Sequence, residues 1–410
     1  MNRPSNAITQ YTTECDHLFE KIKVAPVSNA TTNIPDSIRP RIVVDTVHDG
    51  NFIPAELMRT SRITRLQEDK SLWEHYVIER DWGANFVAEK LVSFLGLEHY
   101  YRVNLARVVM DFNRFPGSST PGASSLERLA INPPFSDMLS HEEKYRVLRK
   151  YYDEISKQME SVIAKSLIKI SIHTYDELNV SRTQRPEVSL ISRSLSYQQF
   201  SKLPFGKFDP LFPDILAEST TTRILRDRIA LHLEKAGVLV EHNYPYCLPD
   251  GSLEIRALVW FFFQHLRGIF EQHHPATKED SSYGLVWHML LNTNLREAQA
   301  EALYGYLHRF RTPPENDGEF FAEARDAYEH IRQFLNENFH LVENFRTSPE
   351  RPSAISVEVR KDLIWEIDEY TPVKMLEERA TLIAEKIAEA ISTYLREDLE
   401  EVSRQLSDET

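Results

Sequence analysis

The stretch Arg41–Pro54, RIVVDTVHDGNFIP, decides the fold class. Its β-branched run, with Pro40 before it and His48-Asp49-Gly50 after it, reads as a buried strand that empties into a loop. Downstream, Trp82–Leu95 carries apolar residues at Phe86, Val87, Leu91, Phe94 and Leu95, a helical stripe closed by Gly96. Tyr101–Phe112 (YRVNLARVVMDF) reads as a second strand region ending at Asn113-Arg114. The spacing predicts a long charged helix over His141–Ser166, running straight into Leu167–Ile172 (LIKISI), a third strand ending at His173. A helix over Thr220–Ala236 stopped by Gly237, a short strand (VLVE), a loop Asn243–Gly251, a strand Ala354–Val359 and a closing helix Pro372–Gln405 complete the pattern.

Strands alternating with helices predict an α/β protein, a three-layer mixed sheet with helices on both faces. Ser281–Glu350 breaks the alternation with helical patterns and Pro313-Pro314, and reads as a helical insertion or lid within one domain spanning 1–410. The residues with chemistry sit just after strands, where open α/β sheets place their sites.

Composition narrows the function. A net charge of −14 argues against nucleic acid or an anionic membrane as partner, since both are held through a surplus of Lys and Arg. Cys15 and Cys247 are too few for a disulfide framework. The longest apolar run, Ala257–Phe263, is about one third of a membrane span, and the N-terminus lacks an apolar signal core, so a cytoplasmic protein is expected.

Five separated stretches hold the residue types of a one-zinc amide hydrolase: VDTVHDGNFIP (44–54), ERDW (79–82), ARVVMDFNRFP (106–116), SIHTYD (171–176) and ISVEVRKDL (355–363). A lone histidine is most often a surface or hydrogen-bonded core residue, and the chain has 15. His48 and His173 stand out because each follows a buried strand. Zn2+ in a catalytic site takes neutral imidazoles and carboxylates and keeps one position open. Glu79 and Asp81 precede the Trp82–Leu95 helix, where one serves as a favourable charge at a helix start and the other completes a His–carboxylate–His set. Asp81 is the preferred ligand and Glu79 the alternative. Arg114 is either a partner of Asp111 or a fork for a substrate carboxylate, with Asn113 beside it as an amide donor. Glu358, flanked by Val357 and Val359, is either neutralised by Arg360 or a general base. Arg182 and Arg185, after His173, are exposed loop arginines or hold a second carboxylate or the oxyanion.

These stretches together resemble the N-formylglutamate amidohydrolase family, zinc enzymes with a phosphorylase/hydrolase-like fold similar to the zinc carboxypeptidases. VHDGNFIP resembles the family's His-x-Gly…Ile-Pro loop, ERDW its acidic-x-Asp-Trp element, ARVVMDFNRFP its Arg-x-x-x-Asp-x-Asn-Arg segment, SIHTYD its His-Ser-Tyr segment, and ISVEVRKDL its late strand with a catalytic glutamate. The resemblance implies His48, Asp81 or Glu79, and His173 on zinc, Asn113 and Arg114 on a substrate carboxylate, and Glu358 as base. Two departures stand beside it: Thr174 replaces the usual Ser, and the block 281–350 has no counterpart. The expected reaction is hydrolysis of an amide or formamide C–N bond in a small molecule or peptide that bears a carboxylate. A peptide-directed, carboxypeptidase-like hydrolase and a non-catalytic binding relative are the rivals.

Overall fold

A computed structural model describes residues 15, 17–25, 34–58, 70–116, 130–204, 206–293, 297–368 and 371–399. Its sheet is built around β4 (Ile168–Tyr175), every residue of which is buried. Ile168, Ile170 and Ile172 point into one apolar core, while Lys169, Ser171 and His173 alternate onto the other face. Burying each isoleucine contributes about 1.5–3 kcal/mol, so the register of this strand is strongly specified.

The seven strands run in the order β1 (Phe19–Lys23), β3 (His99–Val103), β2 (Ile42–Thr46), β4, β7 (Ser353–Arg360), β5 (Val188–Ile191), β6 (Val240–His242). Three strands adjoining at the centre, β2, β4 and β7, are parallel, and antiparallel pairs β1–β3 and β7–β5 make the sheet mixed. Helices cover both faces, as expected of an α/β protein. Taking only the longer helices, α1 is Lys70–Glu79, α2 Ala84–Phe94, α3 His141–Val147, α4 Asp153–Ile163, α5 Arg223–Lys235, α6 Leu253–His273, α7 Ser281–Leu291, α8 Ala298–His308, α9 Gly318–Glu337, α10 His340–Thr347 and α11 Glu377–Thr393. Helices α2, α5 and α11 pack on the isoleucine face of β4, and α6 to α10 share the core of the opposite face.

Several expectations are corrected. The second strand stops at Val103, because Asn104 turns the chain: its carbonyl accepts from Phe52 N at 2.9 Å and its amide donates to Leu18 O at 2.8 Å. Val108 and Val109 are buried in a turn and Met110 makes only an isolated bridge with Ile131, so their hydrophobicity reports burial and not a strand. The third strand does not end at His173 but continues to Tyr175, paired with β7 throughout. The helix expected from His141 is continuous but passes through a π-helical turn at Leu148–Tyr152. Pro372 belongs to a hairpin, β8 (Trp365–Asp368) with β9 (Thr371–Met375), and the closing helix starts at Glu377; its expected end, 400–405, lies outside the described residues. The run ALVWFFF lies in α6, apolar all round because the helix is enclosed.

Helices α7 to α10 lie between α6 and β7 in the chain. A buried carboxylate ties them to the segment before α5: Asp209 accepts from Tyr328 at 2.9 Å and lies 2.9 Å from His308 Nε2.

Candidate active site

His48, Asp81 and His173 come together from three elements. His48 follows β2, Asp81 sits between α1 and α2, and His173 lies in β4; all three are buried, and one ligand atom from each lies within 4.8 Å of the others. The His48 carbonyl accepts from Asp81 N at 3.1 Å, which pins the ERDW segment onto the His48 loop. Gly50 allows the close approach: a Cβ there would stand 2.5 Å from the Asn104 carbonyl oxygen.

Each residue of ERDW has a separate task. Arg80 pairs with Asp49 at 2.8 Å and lies over the Trp82 ring. Asp81 Oδ2 is 2.8 Å from His173 Nδ1 and 3.5 Å from His48 Nδ1. Glu79 is not part of this cluster; it accepts from Asn132 at 3.1 Å and faces His75. Thr174, in place of the family's Ser, donates its hydroxyl to the Trp82 carbonyl at 3.2 Å.

Arg107 and Asp111 form the second layer. Arg107 bridges Asp81 (3.1 Å) and Asp111 (3.3 Å), and Asp111 Oδ1 lies 2.9 Å from His48 Nε2. Burial opposes ionisation of Asp81 and Asp111, but Arg107 outweighs it with help from the histidines, so both carboxyls are held well below the usual range. An ionised Asp111 only accepts, so His48 Nε2 donates to it. His48 Nδ1, on the other side of the ring, is buried 3.5 Å from the nearest Asp81 oxygen with no hydrogen-bond partner among the described residues. An orphaned imidazole nitrogen beside a carboxylate and a second imidazole fits a metal ion. Burial disfavours charge on His173, yet the Asp81 hydrogen bond and the Glu358 charge push its pKa up to about 9.

Glu358 stands directly beside His173, its register partner on β7. Arg360 does not neutralise it: that guanidinium forks onto Asp362 at 2.8 and 2.9 Å. Tyr246, in the loop after β6, lies close enough to Glu358 that each perturbs the ionisation of the other. Burial raises the Glu358 pKa, His173 pulls it back and Asp81 adds to the rise.

Arg114 is engaged by Asp111 at 3.1 Å and by Asn132 at 2.7 Å. Asn113 is buried with its amide 3.5 Å from His173 Nε2. Arg182 occupies an exposed turn with φ 59°. Arg185 is half-buried, 5.2 Å from the Tyr175 ring centroid, one alternation along β4 from His173, and its Nε has no hydrogen-bond partner among the described residues.

Beneath His173 lies a buried ionic group. Lys169 contacts Asp45 at 2.9 Å and Glu254 of α6 at 3.0 Å, and Ser171 joins both carboxylates. Burial raises the pKa of Glu254, but Lys169 and His173 outweigh this and bring it to about 2.

The family model for N-formylglutamate amidohydrolase matches residues 41–257, more than half of the chain. The chain belongs to this family. Membership supports a hydrolase of C–N bonds acting on a small molecule. The match spans His48, Asp81, Arg107, Asp111 and His173, whereas Glu358 and α7 to α10 lie beyond it. Among solved structures, an N-formylglutamate amidohydrolase from Ralstonia eutropha is similar at 14% identity, covering 91% of this chain and 97% of its own, with a TM-score of 0.45. A gene product of Agrobacterium tumefaciens is similar at 14% identity over 96% of this chain and 98% of its own, with a TM-score of 0.41. No curated protein matches the chain. Among the described residues, no helix is long and apolar enough to cross a membrane.

Tyr246, Arg107 and the role of Asp111 toward His48 were missed by sequence reasoning. Arg107 and Asp111 stand four apart inside ARVVMDFNRFP, a spacing that pairs opposite charges within a turn of chain. Tyr246 carried no such signal, because Glu358, the group it perturbs, lies 112 positions away on β7.

Proposed function

We propose that the chain is a zinc-dependent amidohydrolase acting on an N-acyl amino acid that bears a carboxylate, N-formylglutamate being the first substrate to test. The observation that carries this reading is His48 Nδ1, buried beside Asp81 and His173 with no hydrogen-bond partner among the described residues, together with a buried glutamate paired with His173 on the adjoining strand. His48, Asp81 and His173 would hold the ion. Zinc, when bound, supplies Lewis acidity and lowers the pKa of water.

The chain's own residues then divide the work. Glu358 takes the proton of the attacking water and returns it to the leaving nitrogen, so amide and water become a carboxylic acid and an amine. Its freedom from Arg360 keeps it basic, and its raised pKa keeps the proton long enough to deliver it. Arg185 receives the substrate carboxylate, since it combines a half-buried guanidinium with an unpartnered Nε beside Tyr175. Asn113, whose amide lies 3.5 Å from His173 Nε2, is a second polar group for the substrate beside the cluster. Arg114 stabilises Asp111, and through it the orientation of His48. Helices α7 to α10 share a core with α6, and we read them as a brace for the helix that carries Glu254.

The direct test is a panel of N-formyl, N-acetyl and longer N-acyl amino acids, each with a free and an amidated carboxylate, assayed on zinc-loaded protein. Release of amine from the free acids supports the reading. Absence of release across the panel overturns it.

A further inference from the structure

Tyr246 stands in a loop that abuts the strand position of Glu358. Ser189, the register partner of Glu358 on β5, donates its hydroxyl to the Tyr244 carbonyl, and Tyr246 itself lines a groove of about 510 Å³ at the β6 edge of the sheet. That size lies within the range of small-ligand clefts. The groove is therefore one side chain away from the base of the proposed reaction.

Its walls differ from the rest of the surface. The chain carries a net charge of −14, yet no carboxylate lines the groove, while Arg193 and Arg226 both do. Arg226 is occupied by Asp227 at 2.8 Å. Arg193 is not neutralised: its Nε donates to the Glu218 carbonyl at 3.2 Å and its Nη1 to the Gln198 side chain at 2.8 Å, and it has no carboxylate partner among the described residues. Neutral partners orient the guanidinium and leave its charge available for an anion. Gln198 and Gln199 add amide groups suited to peptide bonds, and Leu195 adds an apolar wall.

We propose that this groove is a second substrate subsite, which takes the portion of an N-acyl peptide remote from the scissile amide, with Arg193 receiving the terminal carboxylate. The proposal rests on the amidohydrolase reading and extends its substrate class from N-acyl amino acids to short N-acyl peptides. Tyr246 forms the wall between the reacting centre and the extension.

The test compares one N-formyl amino acid with the same compound extended by two residues, using zinc-loaded protein. The wild type is expected to favour the extended peptide in kcat/KM. Gln198→Glu, which sets a carboxylate beside Arg193, and Arg193→Gln are each expected to lower the extended-to-short ratio about ten-fold, as for loss of a charge-assisted contact. A variant that folds poorly lowers both values alike, and its ratio still reports the molecules that fold. No preference in the wild type, or an unchanged ratio in both variants, overturns the subsite and leaves the amidohydrolase reading standing. Hydrolysis of neither peptide overturns that reading, and calorimetric binding of the extended peptide to Glu358→Gln, with and without Gln198→Glu, then decides the groove: about ten-fold weaker binding supports it and equal binding overturns it.

Discussion

Asp111 holds the Nε2 edge of His48 at 2.9 Å and so turns the Nδ1 edge toward Asp81. Removing a carboxylate that orients a ligating histidine typically costs 10–100-fold in metal affinity. Asp111→Asn is expected to weaken zinc binding by about that factor, measured by competition with a chromophoric chelator. Unchanged affinity in the folded variant would remove Asp111 from the account.

Glu358→Gln is expected to retain zinc and fold while turnover drops by a factor on the order of 10² or more, the scale of a lost general base. Burial raises the pKa of Glu358 above its ordinary 4.5. Only the ionised carboxylate accepts a proton, so wild-type kcat/KM should rise with pH as Glu358 ionises. The variant should lack this acid limb. Ordinary turnover in Glu358→Gln contradicts the assignment.

Much of the fold was legible because buried parallel strands announce themselves as β-branched runs, as in Ile42–Thr46, Ile168–Tyr175 and Ser353–Arg360. The Ala84–Phe94 helix was legible from its stripe and from Gly96, at φ 64°. The apolar run at Val108–Met110 misled, since a turn and a single bridge packed into the core are as apolar as a strand. The short edge strand β1, FEKIK, carries too little pattern to read. At the site, the choice between Glu79 and Asp81 needed the tertiary structure, because positions two apart are separated only by which way the backbone turns after α1. The choice between base and ion pair at Glu358 needed Asp362, which draws Arg360 away.

The buried group under His173 makes a stability prediction. Glu254 falls from an ordinary 4.5 to about 2. Its contribution is present above pH 4.5 and is lost as pH falls toward 2. Glu254→Gln should therefore cost about 3–5 kcal/mol at pH 7, the range for breaking a buried pair. In urea unfolding, the gap to wild type should narrow as pH falls through this window. A gap that stays constant with pH would show that Glu254 is not depressed.

Arg185 and Arg114 should behave differently toward the substrate carboxylate. Arg185→Lys keeps the charge and loses the planar fork, at a cost of about 1.5–3 kcal/mol in kcat/KM. Amidating the substrate should cost a similar amount on wild type and little more on Arg185→Lys, since both remove one interaction. Simple addition of the two losses would exclude Arg185. Arg114→Lys should instead weaken zinc binding, because its guanidinium rests on Asp111 and Asn132.

The central claim is that the His48–Asp81–His173 cluster holds the ion on which amide hydrolysis depends. Protein stripped of metal is titrated with zinc while amine release from N-formylglutamate is followed. The account predicts no turnover at the start, a linear rise, and saturation at about one zinc per chain, the stoichiometry of a three-ligand catalytic site. It predicts loss of that saturable rise in both His48→Ala and His173→Ala. Full turnover in the stripped protein, or an unaltered titration in both variants, would contradict it.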